Sequence, residues 1–181
     1  MKQKTIWITL AFVLLILAGG FLYVNYRGRT LSPPGKAELA GENLTISISY
    51  SRPSVRNRTI FGTADEGALQ PYGKYWRLGA NESTEVTFSR DVTVNGTEIK
   101  AGTYRIYAIP QEDSFEVALN TETGKWGAFE PDYSLDVMRT RIPIEKLSSP
   151  VEQFTISLVQ AGNGIDMIFE WADRRFVVPV R

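Results

Sequence analysis

The sequence predicts an all-β domain, an antiparallel β-sandwich of jelly-roll or immunoglobulin-like type, preceded by one N-terminal transmembrane helix. Two observations lead to this fold class. Residues 6–24 form one uncharged apolar segment. From residue 38 onward, apolar and polar residues alternate in about nine or ten short runs separated by turn signals, a pattern typical of sandwiches and barrels.

The apolar segment from Ile6 to Val24 is long enough to cross a membrane as a helix. At ~1.5 Å per residue it spans roughly 30 Å, the thickness of the hydrocarbon core of a bilayer. Residues 1–5 form a short basic tail, and Trp7 and Tyr23 lie near the two ends of the segment, where interfacial aromatic residues are common. The segment is therefore predicted to be a single-pass anchor, with the membrane as its partner.

A cleaved signal peptide is the competing interpretation of the same segment. Ala18, Gly19 and Gly20 offer small residues for a cleavage site. The apolar run continues to Val24, beyond a typical signal core, which favours an uncleaved anchor. Retention of the short basic tail in the cytoplasm predicts that the domain lies outside it, in the periplasm or at the cell surface.

The remaining chain divides into a linker and the β-domain. Residues 25–37 are predicted to be a linker stiffened by Pro33 and Pro34, and residues 38–181 the domain. The predicted strands are residues 44–50, 86–89, 92–94, 97–99, 103–109, 115–120, 137–144, 154–159, 165–171 and 176–180.

Four turn signals connect these strands. Asn95 and Gly96 form the strongest hairpin signal, Ala101 and Gly102 predict a second turn, Asn163 and Gly164 another, and residues 172–173 the turn of a final hairpin. Residues 133–138 are the one weak helix candidate.

Composition excludes several chemistries. The 20 basic residues balance the 20 acidic ones, so net charge favours no nucleic acid partner. The chain has no histidine and no cysteine, which excludes disulfides, Ser-His-Asp catalysis and ordinary zinc sites. We therefore predict no cofactor and no metal, although a carboxylate-only calcium or magnesium site stays compatible with the sequence.

Five segments carry a family resemblance: residues 50–62, 71–92, 101–110, 126–129 and 170–171. With these segments the chain resembles the DUF2911 family, a domain of unknown function found largely in exported bacterial proteins. The most specific parts are SRPS in the first segment and WRLGAN in the second. The sequence departs from the family at Phe115, where many relatives have tryptophan. The resemblance implies a bacterial source, export and a compact β-domain, and it implies no activity.

Three loop clusters combine arginine, aromatic and turn-forming residues, and they contain the candidate ligand-binding residues. These residues are Arg52, Arg56, Arg58, Lys74, Trp76, Arg77, Asn81, Glu82 and Trp126. Arginine offers planar hydrogen bonding to carboxylates and phosphates, and a tryptophan ring can stack on a sugar. The alternative is that these loops are structural, with solvated or paired arginines and a core tryptophan.

The spacing of the arginines and one glycine-containing turn favour some candidates over others. Arg52, Arg56 and Arg58 have the same parity, so an extended chain points them to one side. Arg77 and the pair Asn81-Glu82 surround a glycine-containing turn directly after an aromatic run, which makes them the preferred polar groups of a pocket.

We therefore predict an extracytoplasmic binding or interaction module for a glycan or an anionic ligand. One alternative is a carboxylate-based hydrolase of envelope or extracellular glycans, which needs only two acidic residues; the sequence selects no such pair and no catalytic residue. The other alternative is a structural envelope protein, which predicts an exposed apolar patch.

Overall fold

The computed structural model describes residues 2–181, apart from the side chains of Lys2 and Thr5. Helix α1 covers Lys2–Leu31 and contains the whole predicted apolar span. Its apolar window is exposed, and the helix is long and apolar enough to cross a membrane or to serve as a signal sequence. The predicted basic tail starts at Met1, outside the described residues, and residues 2–5 already belong to α1.

The segment from residue 25 to residue 37 differs from the predicted linker. Residues 25–31 continue α1, and only two residues separate the end of the helix from strand β1 (Pro34–Ala40). β1 pairs antiparallel with β2 (Thr45–Ser51). Pro34 is tolerated because it is the first residue of a strand at the edge of the sheet, where a missing N–H breaks no ladder.

The strands form two main antiparallel sheets, which confirms the predicted all-β, sandwich-like fold. The six-stranded sheet has the order β1, β2, β5 (Glu85–Phe88), β8 (Gly102–Pro110), β9 (Ser114–Asn120) and β10 (Asp136–Pro143). The four-stranded sheet has the order β11 (Glu145–Ala161), β12 (Gly164–Val180), β6 (Val92–Val94) and β7 (Thr97–Ile99). The short strands β3 (Phe61–Gly62) and β4 (Gln70–Pro71) pair parallel beside them.

One hydrophobic core lies between the two main sheets. Alternate residues of β2 and β8, among them Ile46, Ile48 and Ile106, are fully buried in it. Trp76 lies in the same core and stacks on Trp171 of β12, with ring centroids 5.7 Å apart. These residues explain why the period-two pattern was the dominant signal of the sequence.

The predicted final hairpin is wrong, because β12 runs unbroken from Gly164 to Val180. Ala172 has a positive φ of 51°, which suits a turn. The pairing of β11 with β12 shifts register on either side of Val151, the partner of Ala172. The local kink is therefore absorbed as a bulge within a long strand instead of reversing the chain.

Other local predictions are confirmed. Asn95 and Gly96 have φ values of 43° and 88° and join β6 to β7, as a type I′ hairpin requires. The weak helix candidate is a short 3₁₀ helix, Tyr133–Leu135, followed at once by β10.

Candidate functional site

Two loop segments meet at one end of the six-stranded sheet. They are residues 77–84, which precede β5, and residues 121–135, which join β9 to β10. The Gly127 N–H donates to the carbonyl of Asn81 at 2.9 Å. A Cβ on Gly127 would lie 2.8 Å from Cδ of Arg77, so only glycine fits this close approach.

The C-terminal end of α1 is fastened to the same place. The Asn81 side-chain amide donates to the Ser32 carbonyl at 3.2 Å, and Arg29 Nη2 lies 2.7 Å from Glu82 Oε1. Asn81 has a φ of 59°, a left-handed conformation that asparagine tolerates better than most residues. These contacts join the helix to the domain at a defined point.

A cavity of about 330 Å³, here called the junction cavity, lies between α1 and the two loops. It is lined by Phe21, Val24, Asn25, Gly28, Arg29, Asn81, Glu82 and Trp126. Three predicted candidates therefore share one concavity, although they come from two clusters separated by more than forty positions. The cavity combines an aromatic face with an amide, a carboxylate and a guanidinium, the mixture common in small-molecule sites.

Arg77 lies directly behind the junction cavity. It is half-buried, and its Nη1 donates to the Asn81 carbonyl at 3.3 Å. Within residues 2–181 it forms no salt bridge. Burial lowers the pKa of the Arg77 guanidinium, and the nearby Arg105 lowers it further. A desolvated cation of this kind favours an added anion.

Arg105 is the buried cation that the sequence reasoning missed. It lies on β8 on the face away from the main core, and loop 121–135 covers it, so that only 1% of the residue is exposed. Its Nη2 donates to the Tyr75 hydroxyl, and its Nη1 lies 3.6 Å from Glu122 Oε2. An arginine in an alternating strand normally indicates a solvated face, and no local signal reveals that a distant loop covers it.

A second polar group on the same face holds the end of loop 121–135. The Tyr107 hydroxyl donates to Asp136 Oδ2 at 2.7 Å, and Arg139 Nη2 donates to both the same carboxylate and the same hydroxyl at 2.7 Å. Burial and the hydrogen bond to Asp136 raise the pKa of Tyr107. Burial and a hydrogen bond to Glu130 raise the pKa of Tyr133 to about 12. These bonds stabilise the loop over the sheet.

The three arginines of the first cluster do not converge, contrary to the parity argument. Arg56 has a φ of 51°, so the chain turns there and is not extended. Arg52 Nη2 donates to Thr155 Oγ1 at 3.1 Å, Arg56 Nη2 to the Leu31 carbonyl at 3.1 Å, and Arg58 Nη2 to the Ser54 carbonyl at 2.6 Å. In this arrangement, all three arginines form hydrogen bonds with other residues of the chain.

The remaining two candidates also lie apart from the junction cavity. Trp76 was a candidate for stacking on a ligand, but it is 2% exposed and its ring is packed among other aromatic rings of the core. This corrects the stacking role, because a buried ring has no free face. Lys74 is exposed in the turn before Trp76. Within residues 2–181, no three acidic side chains are grouped to hold a metal ion.

Comparisons with known proteins identify the family. The family model described as "Protein of unknown function (DUF2911)" matches residues 32–180. Searches of curated proteins and of solved structures each gave no match. The matched region includes both main sheets and the two loops of the junction cavity. The chain therefore belongs to the DUF2911 family.

Proposed function

We propose that this chain is a membrane-anchored, extracytoplasmic binding module, and that its junction cavity takes a glycan or an anionic small molecule. One observation carries the proposal. Asn81 and Glu82 from one predicted cluster and Trp126 from another line the same cavity. A concavity that groups an aromatic ring with polar side chains is typical of small-molecule sites.

The chemistry of the cavity supports this ligand class. Trp126 is 44% exposed, so its ring has a face available for the apolar face of a sugar. The Asn81 side-chain oxygen and the Glu82 carboxylate can accept hydrogen bonds from hydroxyl groups, whereas the Asn81 amide nitrogen already donates to the carbonyls of Gly28 and Ser32. Arg77 behind the cavity favours a carboxylate or phosphate on the ligand, whereas Arg29 at the rim is already paired with Glu82.

The helix supports the proposed location. The anchor is residues 6–24 of α1, and the short basic tail stays in the cytoplasm. The domain then lies on the opposite side, in the periplasm or at the bacterial cell surface. An uncleaved anchor also leaves Phe21, Val24 and Arg29 in place as one wall of the junction cavity.

The test is a binding screen with the full chain in phospholipid nanodiscs, against a glycan array and against phosphate and citrate as anion probes. For the ligands that bind, we expect Trp126→Ala and Glu82→Gln each to weaken affinity about tenfold, equal to ~1.4 kcal/mol. Phe129→Ala is the matched control, because Phe129 is exposed in the same loop but does not line the cavity.

Two results would contradict the proposal. The first is an unchanged affinity in both cavity variants, which would mean that the ligand binds elsewhere. The second is the absence of any binding across the panel.

A further inference from the structure

The turn formed by residues 125–129, here called the aromatic turn, presents two large apolar side chains to the outside. Trp126 is 44% exposed and Phe129 is 71% exposed. The Phe129 N–H donates to the Trp126 carbonyl at 3.3 Å, so both belong to one tight turn. Exposed aromatic residues grouped at a loop tip mark a surface that contacts a partner.

The aromatic turn lies beside the end of the apolar span. Trp126 shares the junction cavity with Phe21 and Val24, which are the last apolar turn of the segment that begins at Ile6. With a rise of ~1.5 Å per residue, Phe21 lies only about 4.5 Å along the helix axis from the end of the span at Val24. Trp126 is therefore at the level where an α1 that crosses a bilayer leaves the hydrocarbon layer, and Phe129 follows it within the same turn.

We propose that the aromatic turn inserts Phe129 into the interfacial layer of the bilayer that α1 crosses, while Trp126 lines the junction cavity beside it. The inference rests on the membrane anchor of the proposed function. The occupant is lipid because the surface is continuous with the exposed apolar flank of α1, which is long and apolar enough to cross a bilayer. Tryptophan and phenylalanine are the side chains that favour this layer.

Two basic side chains near the turn suit the same partner, although the loop also carries Glu122, Glu130 and Asp132. The Lys125 side chain is more than half exposed, directly beside Trp126. Arg27 lies one turn of α1 beyond Tyr23 and donates to its hydroxyl at 3.3 Å. Cations at this level meet the phosphates of the headgroups. The domain then has two attachments to the membrane, and the junction cavity opens among the headgroups.

The test uses the full chain, whose natural sequence has no cysteine, so one introduced cysteine gives one labelling site. An environment-sensitive fluorophore is placed at Phe129→Cys, with a second label in the same turn at Lys125→Cys. Each variant is reconstituted in phospholipid nanodiscs. Quenching by a nitroxide carried on the lipid is compared with quenching by aqueous iodide.

Two further labels make the result interpretable. Leu15→Cys lies in the middle of the apolar span and reports whether α1 is in the bilayer. Val159→Cys is an exposed apolar control at the opposite end of β1, where Gly41 packs against Gln160. A label at residue 15 that is quenched only by iodide would contradict the anchor itself, and with it the proposed location.

With residue 15 in the bilayer, we expect the label at residue 129 to be quenched at least threefold more by the lipid-borne nitroxide than the label at residue 159. The label at residue 125 should lie between them, because lysine belongs at the headgroups. If the labels at residues 129 and 159 respond equally and only to iodide, the aromatic turn faces water and the inference is wrong. That outcome would leave the anchor intact and would point to a protein as the partner of the turn.

Discussion

Gly127 is the residue on which the two loops of the junction cavity depend. A Cβ there would lie 2.8 Å from Arg77 Cδ and 2.9 Å from the Glu82 carbonyl oxygen. The backbone oxygen cannot move away without breaking the contact between the loops. One hydrogen atom in place of a methyl group therefore sets the distance between Trp126 and the polar residues of the cavity.

We predict that Gly127→Ala lowers the free energy of unfolding by about 1–3 kcal/mol, the cost of forcing an extra carbon into a packed site. Gly124→Ala is the control, because nothing lies within 4 Å of a Cβ built at this position. Its φ of 70° means that backbone strain is the only cost of the substitution there. Urea unfolding should show a larger loss at position 127. Equal losses would show that the loops are not in close contact.

Tyr133 in loop 121–135 and Tyr107 on the sheet beneath it make the attachment of the loop sensitive to alkali. The pKa of Tyr133 is raised to about 12 from an ordinary value of 10, so the folded state favours the neutral phenol. Its contribution to stability is complete below pH 10 and is lost as pH rises through about 12. The pKa of Tyr107 is raised too, so the two groups weaken the loop together.

We expect Tyr133→Phe to reduce the loss of stability between pH 10 and 12, because phenylalanine has no proton to lose. Thermal unfolding as a function of pH measures this loss, and phenolate absorbance follows the ionisation directly. Tyr26→Phe is the control, since Tyr26 is exposed on α1. Ionisation of Tyr133 near pH 10 would contradict the claim that the folded state raises its pKa.

At the scale of the element, loop 121–135 depends on a charge that it buries. Arg105 donates from β8 to the Tyr75 hydroxyl and to the Phe129 carbonyl, and it faces Glu122. Removal of the Arg105 guanidinium leaves its partners unpaired beneath the loop. The loss of one partner of a fully buried charge pair lowers the free energy of unfolding by ~3–5 kcal/mol.

Arg105→Met should therefore release loop 121–135 while the two sheets stay folded. Hydrogen exchange followed by mass spectrometry should show faster exchange at residues 121–135 and unchanged exchange in β8 and β9. Arg141→Met is the matched control on the same sheet, at an exposed position of β10. Faster exchange throughout the sheet would mean that Arg105 stabilises the fold as a whole.

Elements whose signals are local were predictable, and elements that depend on distant contacts were not. The Asn95-Gly96 hairpin and the alternation of β2 follow from a few adjacent residues. β1 was missed because Pro33 and Pro34 indicate a linker, and only the edge position makes a strand there acceptable. The turn signal at Ala172 led to the wrong prediction of a hairpin, because β12 stays paired with β11 through a shift in register there.

The candidate site shows the same limit. Asn81, Glu82 and Trp126 were identified from glycine, asparagine and tryptophan in loops, which is local information. Arg105 was missed because its burial is created by a loop that follows it by more than fifteen residues. The arginines near Pro53 were overvalued because a positive φ at Arg56 cannot be read from an arginine.

At the scale of the whole molecule, the core and helix α1 are separate. The buried core begins at Ala37, and α1 touches the domain through a few polar contacts such as Arg29 with Glu82. We predict that residues 32–181 fold without α1 and unfold within a few degrees of the full chain, as measured by circular dichroism. A truncated chain without cooperative unfolding would show that α1 contributes to the core.

The central claim is that a ligand occupies the junction cavity against Trp126. The most direct measurement is the tryptophan emission of a Trp7→Phe chain during titration with the tightest ligand from the panel, because Trp76 and Trp171 are buried. We expect a saturable shift in emission with the same midpoint as binding. The shift should be lost in Trp7→Phe/Trp126→Phe. Binding of that ligand with no change in emission would contradict the claim.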